Sequence, residues 1–212
     1  KRFILELGGN ATVIVHKDAD IERAAKRCVF GAFAYAGQVC ISVQNILVHR
    51  DIYPAFQQAL QAELKIVKYG DPMQKDTLVG PVVNSAAANR LSAWIAEARS
   101  GGARISAFGE RSQNILPPTL IEGAPNTCQL AQEEAFGPVV LLDPYDTLDE
   151  AIERVNASRY GLQTGIFTDS HSVIQRAIDE IESGGILINE VPTFRADHMP
   201  YGGVKDSGLG RE

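Results

Sequence analysis

The protein has 212 residues, of which 45% are hydrophobic and 22% charged, a composition typical of a globular domain with one substantial core. Its formal net charge of −6 argues against nucleic-acid binding, because it gives no cationic surface for a polyanion. No apolar run reaches the roughly 18 residues of a membrane-spanning helix and the N-terminus lacks a signal-peptide pattern, so we expect a soluble, cytoplasmic protein.

Strand and helix patterns alternate along the chain. Apolar runs predict strands from Phe3 to Leu7 and from Thr12 to His16, and Asp18 is placed to cap a helix that continues towards Tyr35. The elements predicted after them are strands at 46–49, 104–106, 119–121, 139–142, 165–168 and 185–189, and helices at 52–66, 85–100, 148–156 and 170–181. This order predicts an α/β fold, a mostly parallel open sheet with helices on both faces. The aperiodic stretch 191–212 indicates a functional loop.

The loop after the first predicted helix contains the first candidate for chemistry, Cys40. It follows a glycine in the segment Gly37-Gln38-Val39-Cys40, where the backbone can approach a ligand closely. The chain has three cysteines, an odd number at wide spacing, which indicates neither a disulfide framework nor a zinc site. Cys40 is therefore a candidate reactive thiol, and a small buried hydrophobic side chain is the alternative interpretation.

Glu6 is the second candidate, an acid at the end of an apolar strand with Gly8 and Gly9 after it. Ligands collect at the carboxyl ends of strands in a parallel sheet, so we expect Glu6 at that edge. We also expect apolar residues and glycines to enclose the carboxylate, which would make it a stronger base. The alternative is a carboxylate that faces water beside a tight turn of two glycines.

Two later segments are also unusual. The segment Glu133-Glu134-Ala135-Phe136-Gly137-Pro138 combines an acidic pair with an aromatic residue and a forced turn, although a solvated loop is its simpler interpretation. Residues 201–208 are rich in glycine but match neither the P-loop nor the dinucleotide fingerprint. That stretch indicates a shaped loop before it indicates a phosphate site.

In chain order, these segments resemble the motifs of the aldehyde dehydrogenase family. The resemblance rests on Glu6-Leu7-Gly8-Gly9-Asn10, on the segment ending at Cys40, on 133–138 and on 201–212, which together span almost the whole chain. The sequence separation of Glu6 and Cys40 also matches the family's separation of base and nucleophile. The chain departs from the family's pattern at Ala135, usually a larger aliphatic residue, and at Asn45, often an arginine.

The resemblance implies a mechanism and a cofactor. Cys40 would add to the carbonyl of a small aldehyde, and the resulting thiohemiacetal would lose hydride to NAD or NADP. Glu6 would then activate the water that hydrolyses the thioester. The implied cofactor contacts are Glu134 with the ribose, Phe136 beside the nicotinamide ring, and Gly8 and Gly9, which leave room for the ring.

The family's substrate tunnel is formed partly by the loop before the motif Gly202-Gly203. The candidate substrate-binding residues from this loop and beside the nucleophile are Val39, Ile41, Phe194, Arg195 and Tyr201. Arg195 offers a bidentate partner for a carboxylate or phosphonate, and a loop-stiffening ion pair with Asp197 or Glu190 is the alternative. The loop resembles those of lactaldehyde, succinate-semialdehyde and phosphonoacetaldehyde dehydrogenases.

The chain begins without a methionine and ends directly after a glycine-rich loop, which we interpret as a piece of a longer polypeptide. We expect residues 1–212 to be the catalytic domain, inactive alone, with the main dinucleotide-binding domain and the oligomerisation arm elsewhere. The complete protein is expected to be a homo-oligomer, dimer or tetramer, that binds no metal. Two alternatives stay open: a thiol esterase or acyl-transfer hydrolase that uses Cys40 and Glu6, and an inactive structural domain.

Overall fold

The computed structural model describes residues 3–212. Its strands are β1 (Leu5–Glu6), β2 (Ala11–Val15), β3 (Val43–His49), β4 (Arg104–Ala107), β5 (Thr119–Glu122), β6 (Val139–Tyr145), β7 (Tyr160–Gly161), β8 (Gln163–Phe167), β9 (Gly185–Ile188), β10 (Val204–Lys205) and β11 (Gly208–Leu209). Its α-helices are α1 (Ile21–Phe33), α2 (Tyr53–Lys65), α3 (Ser85–Ser100), α4 (Gln129–Gln132), α5 (Leu148–Asn156) and α6 (His171–Glu180).

Seven of the strands form one central sheet in the order β4-β5-β6-β3-β2-β8-β9. The pair β4 and β5 at one edge is antiparallel, and the other neighbouring pairs are parallel. In the middle of the sheet, Val13 of β2 lies beside Ile46 of β3 and Gly165 of β8. Parallel neighbours need crossover connections, and the helices supply them. The predicted mostly parallel α/β sheet is confirmed.

Alternate strand residues face two different layers of helices. On β2, Val13 and Val15 belong to the core cluster that contains α1 and α2, whereas Ile14 belongs to the cluster of α5 and α6. Ile121 and Leu141 pack with α3 and α4, on the same side as Ile14. Because successive strand residues point to opposite faces, helices cover the sheet on both sides, as predicted.

Helix α1 begins after Asp20, whose side chain accepts a hydrogen bond of 3.1 Å from the Arg23 N–H. The expectation that Asp18 caps this helix is wrong. The Asp18 carboxylate instead accepts hydrogen bonds from the Thr168 hydroxyl (2.8 Å) and from the Asp169 N–H (3.1 Å). Asp18 therefore ties the chain before α1 to the end of β8.

The two ends of the chain meet outside the central sheet. Of the strand predicted from Phe3 to Leu7, only β1 forms, and it pairs antiparallel with β11, with Glu6 opposite Gly208. The long last segment is irregular apart from β10 and β11, and β10 pairs with β7. These short ribbons bring Glu6 to the glycine-rich segment.

Candidate active site

A tight turn between α1 and β3 positions Cys40. Tyr35 and Ala36 have φ angles of 54° and 56°, in the left-handed region that residues with a side chain rarely adopt. Gly37 follows with a φ of 68°, and a β-carbon there would lie 2.2 Å from the Gly137 carbonyl oxygen. Such strain persists only where the surrounding structure fixes it. The turn sets Cys40 just before β3.

The site lies at the amino ends of the parallel strands. Gly9 comes just before β2, Cys40 before β3 and Phe136 before β6. The expectation that Glu6 marks the carboxyl edge of the sheet is therefore wrong. The strand that ends at Glu6 is β1, which is outside the central sheet, so Glu6 precedes the first strand of that sheet.

Cys40 is the one cysteine of the three that is not buried. Cys28 is 0% and Cys128 3% exposed, and both belong to core clusters. Burial raises the pKa of the Cys28 thiol far above its usual value, so that thiol stays protonated and unreactive. Of the three thiols, Cys40 is the one accessible to a ligand.

The surroundings of Cys40 are apolar with one polar contact. Cys40 and Val39 pack against a cluster of Ile41, Leu162 and Tyr201. The Cys40 Sγ lies 3.3 Å from the Tyr201 hydroxyl oxygen. The structure therefore brings together three of the five residues predicted to bind substrate, Val39, Ile41 and Tyr201, around the predicted nucleophile.

The negative charge of Glu6 affects the pKa of the same tyrosine. The pKa of Tyr201 is raised first by burial, then by its hydrogen bond with Cys40 and by the negative charges of Cys40 and Glu6. The charge of Glu6 therefore reaches the phenol that contacts Cys40, and Glu6 lies three residues before Gly9, whose backbone packs against the Cys40 carbonyl. The Glu6 carboxylate is exposed, so the enclosed environment that we expected for it is wrong.

Glu134 packs against the two glycines that follow Glu6. The Gly9 N–H donates a hydrogen bond of 3.0 Å to Glu134 Oε1, and a β-carbon on Gly8 would lie 2.7 Å from Oε2. A β-carbon on Gly9 would lie 2.2 Å from the Cys40 carbonyl oxygen. The backbone contact is thus enough to require glycine at position 9, whereas the Glu134 side chain can move away from a β-carbon on Gly8. The role of both glycines in leaving room for a nicotinamide ring stays a prediction.

Three of the four residues predicted to contact the cofactor share one surface, and Gly8 is not among them. Gly9, Val39, Glu134 and Phe136 line a single small pocket. Burial raises the pKa of Glu134, and the Gly9 N–H and the Arg90 guanidinium oppose the rise. Phe136 is 40% exposed and has a φ of 48°. An acceptor and an exposed aromatic ring therefore lie beside Val39, the residue that precedes Cys40.

Gln44, which the sequence analysis missed, holds the loop that carries Glu134. Its Nε2 donates to the Leu130 and Glu133 carbonyls (both 2.8 Å), and its Oε1 accepts from the Ala135 N–H at 2.9 Å. The side chain is buried, so the Leu130 carbonyl and the Ala135 N–H depend on it, and the Glu133 carbonyl depends on it in part. A pair of amide residues, Gln44 and Asn45, near the start of a strand that continues with apolar residues was the signal available in the sequence.

Two asparagines hold the same loop. Asn10 Nδ2 donates to the Ala131 carbonyl (3.1 Å) and to the Glu133 carbonyl (3.4 Å), and Asn45 Nδ2 donates to Asn10 Oδ1. Asn45 is one of the two departures from the family's pattern. Its contact shows that this departure serves the positioning of Asn10.

Hydrogen bonds at Thr193 and Phe194 anchor the loop that is predicted to contact substrate. The Thr193 hydroxyl donates to the Gly31 carbonyl (2.9 Å) and lies 3.1 Å from the Ile41 carbonyl oxygen. Gln163 Nε2 donates to the Phe194 carbonyl at 3.3 Å. Phe194 is 45% exposed, so its ring is available to a ligand. It is not part of the apolar cluster around Cys40.

Arg195 lies over the tyrosine that contacts Cys40. Its guanidinium carbon is 4.1 Å from the Tyr201 ring centroid, and the group also pairs with Glu212. The predicted alternative for Arg195 was an ion pair with Asp197 or Glu190; the structure gives it Glu212 as partner instead. The guanidinium side chain is still 40% exposed.

Within residues 3–212, no group of three or more His, Cys, Asp and Glu side chains is arranged to hold a metal ion. Over the same range, no helix has the length and apolar character needed to cross a membrane.

Comparisons with known proteins show which family the chain resembles. The family model described as "Aldehyde dehydrogenase family" matches residues 1–212. The 3-sulfolactaldehyde dehydrogenase of Priestia aryabhattai is 43% identical over 212 residues, which are 100% of this chain and 44% of that protein. The chain therefore spans less than half the length of this relative.

Solved structures show the same fold. Aldehyde dehydrogenase 21 from Physcomitrella patens, in complex with the reaction product succinate, has a TM-score of 0.96 at 38% identity, covering 100% of this chain and 44% of that chain. Glyceraldehyde-3-phosphate dehydrogenase GapN from Methanocaldococcus jannaschii, complexed with NADP, has a TM-score of 0.95 at 36% identity, with coverages of 100% and 46%.

Proposed function

The chain belongs to the aldehyde dehydrogenase family, and from this premise we propose that the complete polypeptide oxidises an aldehyde to a carboxylic acid with NAD or NADP. The observation that carries the proposal is the accessible thiol of Cys40, 3.3 Å from the Tyr201 hydroxyl oxygen, with the segment that follows Glu6 packed against the Cys40 carbonyl through Gly9. A thiol and a carboxylate on neighbouring segments fit a reaction in which acylation and hydrolysis are separate steps.

Cys40 supplies the nucleophile. Its sulfur adds to the aldehyde carbon, and the carbonyl electron pair moves to oxygen, where the Cys40 N–H can stabilise the charge. A nicotinamide cofactor, when bound beside Glu134 and Phe136, would supply the acceptor for the hydride that leaves the substrate carbon. A thioester on Cys40 remains. The accessibility of this thiol, compared with buried Cys28 and Cys128, supports the assignment.

Glu6 supplies the base for hydrolysis. It accepts a proton from water while the water oxygen bonds to the thioester carbon. The carbon–sulfur bond then breaks, which releases the carboxylic acid and returns the Cys40 thiolate. Exposure of Glu6 supports this role in one respect, because water reaches the carboxylate directly.

The residues around Glu134 fit a dinucleotide cofactor. Its carboxylate is held by the Gly9 N–H, which orients it as an acceptor for a ribose hydroxyl, and the exposed Phe136 ring gives an apolar contact. The choice between NAD and NADP is left open. Because the chain covers 44% of a relative's length, we infer that other parts of the complete protein bind most of the cofactor, so this chain alone should be inactive.

We further propose that the substrate is a small aldehyde with an anionic group. Arg195 is exposed and lies over Tyr201, whose hydroxyl is at the Cys40 sulfur. An anion on the guanidinium would thus be held near a carbonyl at the sulfur. Two observations on relatives support this substrate class. The Priestia relative is named for a sulfonate-bearing aldehyde, and the Physcomitrella enzyme is in complex with the dicarboxylate succinate.

Assembly as a homo-oligomer and a cytoplasmic location stay predictions from the sequence. The central sheet ends at β4 on one side and at β9 on the other. Edge strands have unpaired backbone groups and can pair with another chain. Such pairing is a physical route to assembly that the sheet leaves available.

The function is tested with the complete polypeptide, an aldehyde and NAD or NADP, by the absorbance of the reduced cofactor. We expect turnover in the native protein and in the control Cys128→Ala, and a loss of at least about a thousand-fold in Cys40→Ser. Full activity of Cys40→Ser would contradict the mechanism. Ester hydrolysis without any reduction of cofactor would instead favour the alternative thiol esterase.

A further inference from the structure

The hydroxyl of Tyr201 is placed against the reacting sulfur. Its oxygen lies 3.3 Å from Cys40 Sγ, a hydrogen-bond distance when sulfur is the acceptor. We propose that Tyr201 is a further catalytic residue, whose hydroxyl donates a hydrogen bond to the Cys40 thiolate before the aldehyde adds and again as the thioester is hydrolysed. The inference rests on the proposed function, which makes the Cys40 sulfur the reacting atom.

The tyrosine ring is held from several sides. Tyr201 is 3% exposed and packs in one apolar cluster with Ile41 and Leu162. The Arg195 guanidinium covers one face of the ring at 4.1 Å from its centroid, and the Tyr201 carbonyl accepts a hydrogen bond of 3.0 Å from the Glu212 N–H. A phenol fixed in this way loses little further freedom when its hydroxyl bonds the sulfur.

The direction of this hydrogen bond follows from protonation. Burial raises the pKa of Tyr201 well above its usual value, the contact and charge of Cys40 and the charge of Glu6 add to the rise, and Arg195 opposes it. The phenol therefore keeps its proton in the neutral range, whereas a thiolate has none to give. With Cys40 ionised, Tyr201 is the donor.

The hydrogen bond has two consequences for the reaction. It stabilises the thiolate, which is the reactive form of cysteine, in a site that is otherwise lined by apolar side chains. In hydrolysis, the carbon–sulfur bond breaks, its electron pair goes to Cys40, and Glu6 holds the proton taken from water. The same Tyr201 hydroxyl then stabilises the thiolate that leaves.

The variant that isolates this contact is Tyr201→Phe, which keeps the ring and removes the hydroxyl. In the complete polypeptide without substrate or cofactor, we expect the rate of Cys40 alkylation by iodoacetamide at neutral pH to fall about ten-fold or more, followed by peptide mass spectrometry. The alkylation profile should also move to higher pH. The matched control is Tyr53→Phe on α2, whose hydroxyl donates to Glu122 at 3.1 Å.

Turnover separates this inference from the proposed function. We expect Tyr201→Phe to lower kcat by about ten-fold or more while its thermal midpoint stays near that of Tyr53→Phe. If Cys40→Ser abolishes turnover but Tyr201→Phe alkylates and turns over at the native rate, the role of Tyr201 is overturned and the proposed function stands. If Cys40→Ser keeps full turnover, both are overturned.

Discussion

The carbonyl oxygen of Cys40 lies 2.2 Å from the position that a β-carbon on Gly9 would occupy. The two residues come from different turns, one before β2 and one before β3, and this contact fixes their backbones against each other. Glycine is therefore required at position 9 to let the Cys40 backbone approach, in addition to any space it leaves for a cofactor.

Replacing Gly9 by Ala should displace Cys40. The added methyl group has to push the Cys40 carbonyl away, and overpacking of this kind costs about 1–3 kcal/mol. We expect kcat/KM to fall roughly a hundred-fold, since a displaced nucleophile loses its geometry. The matched control is Gly80→Ala, where a β-carbon meets only Pro72 at 3.5 Å and activity should be unchanged. Equal activities of the two variants would contradict the claim that Gly9 sets the position of Cys40.

Replacing Gln44 by Leu should loosen the Glu134 loop. The Leu130 carbonyl and the Ala135 N–H lose their partner, the Glu133 carbonyl keeps only the longer bond from Asn10, and each such loss costs about 1–3 kcal/mol. We expect the free energy of unfolding in urea to fall by about 2 kcal/mol or more, and the KM for the cofactor to rise. The exposed Gln58→Leu on α2 serves as control. An unchanged cofactor KM would show that the loop keeps its position without Gln44.

His16 should make stability depend on pH. It is buried, its Nδ1 lies 3.0 Å from the Tyr145 hydroxyl oxygen, and its ring meets that of His49 at 5.5 Å. Burial lowers the pKa of His16 below its usual 6.5; Asp18 opposes the shift, whereas His49 and Lys17 add to it.

Stability should fall towards acid pH, because the unfolded chain binds a proton at His16 more readily than the folded protein does. The stability that comes from neutral His16 is complete above about pH 6.5 and is lost as the pH falls through its lowered folded-state pKa. We expect the thermal midpoint to fall between about pH 7.5 and about pH 5, and to fall less in His16→Phe. The exposed His171→Gln should behave as the native protein; an equally steep fall in His16→Phe would refute the assignment.

Arg195 should discriminate between aldehydes by charge. In Arg195→Gln, we expect the KM for succinate semialdehyde to rise about ten-fold, because a charged hydrogen bond to its carboxylate is lost, while the KM for propanal stays the same. Steady-state kinetics with both aldehydes measures this, with the exposed Arg99→Gln as control. A parallel change for both substrates would favour the loop-stiffening pair with Glu212.

The sequence predicted the larger elements because their local signals are strong. Helix α5 has the predicted bounds, since Thr147 caps it through the Glu150 N–H and Ala151, Ile152 and Val155 form its buried stripe. The four-residue helix α4 and the two-residue strand β7 were missed, because such short segments show no period. The prediction that Asp18 caps α1 was wrong because Asp20, two positions later, has the same side chain and accepts the capping hydrogen bond.

The sequence also indicated most of the candidate site but not its edge of the sheet. Glu6 ends an apolar run, and local pattern does not show that this run pairs with β11 outside the central sheet. The Gln44 contacts and the approach of Tyr201 to Cys40 join residues far apart in the chain, so they depend on tertiary structure. Tyr201 was predicted to form an apolar wall of the substrate tunnel. The contact between its hydroxyl and Cys40 was not predicted.

The most direct test of the central claim is to trap the thioester on Cys40. In the complete polypeptide, Glu6→Gln should still form the acyl group but hydrolyse it slowly, because the amide does not accept a proton from water. After mixing with aldehyde and NAD or NADP, rapid quenching and peptide mass spectrometry should find the acyl mass on the Cys40 peptide, with one burst of reduced cofactor. Turnover at the native rate with no adduct on Cys40 would contradict the account.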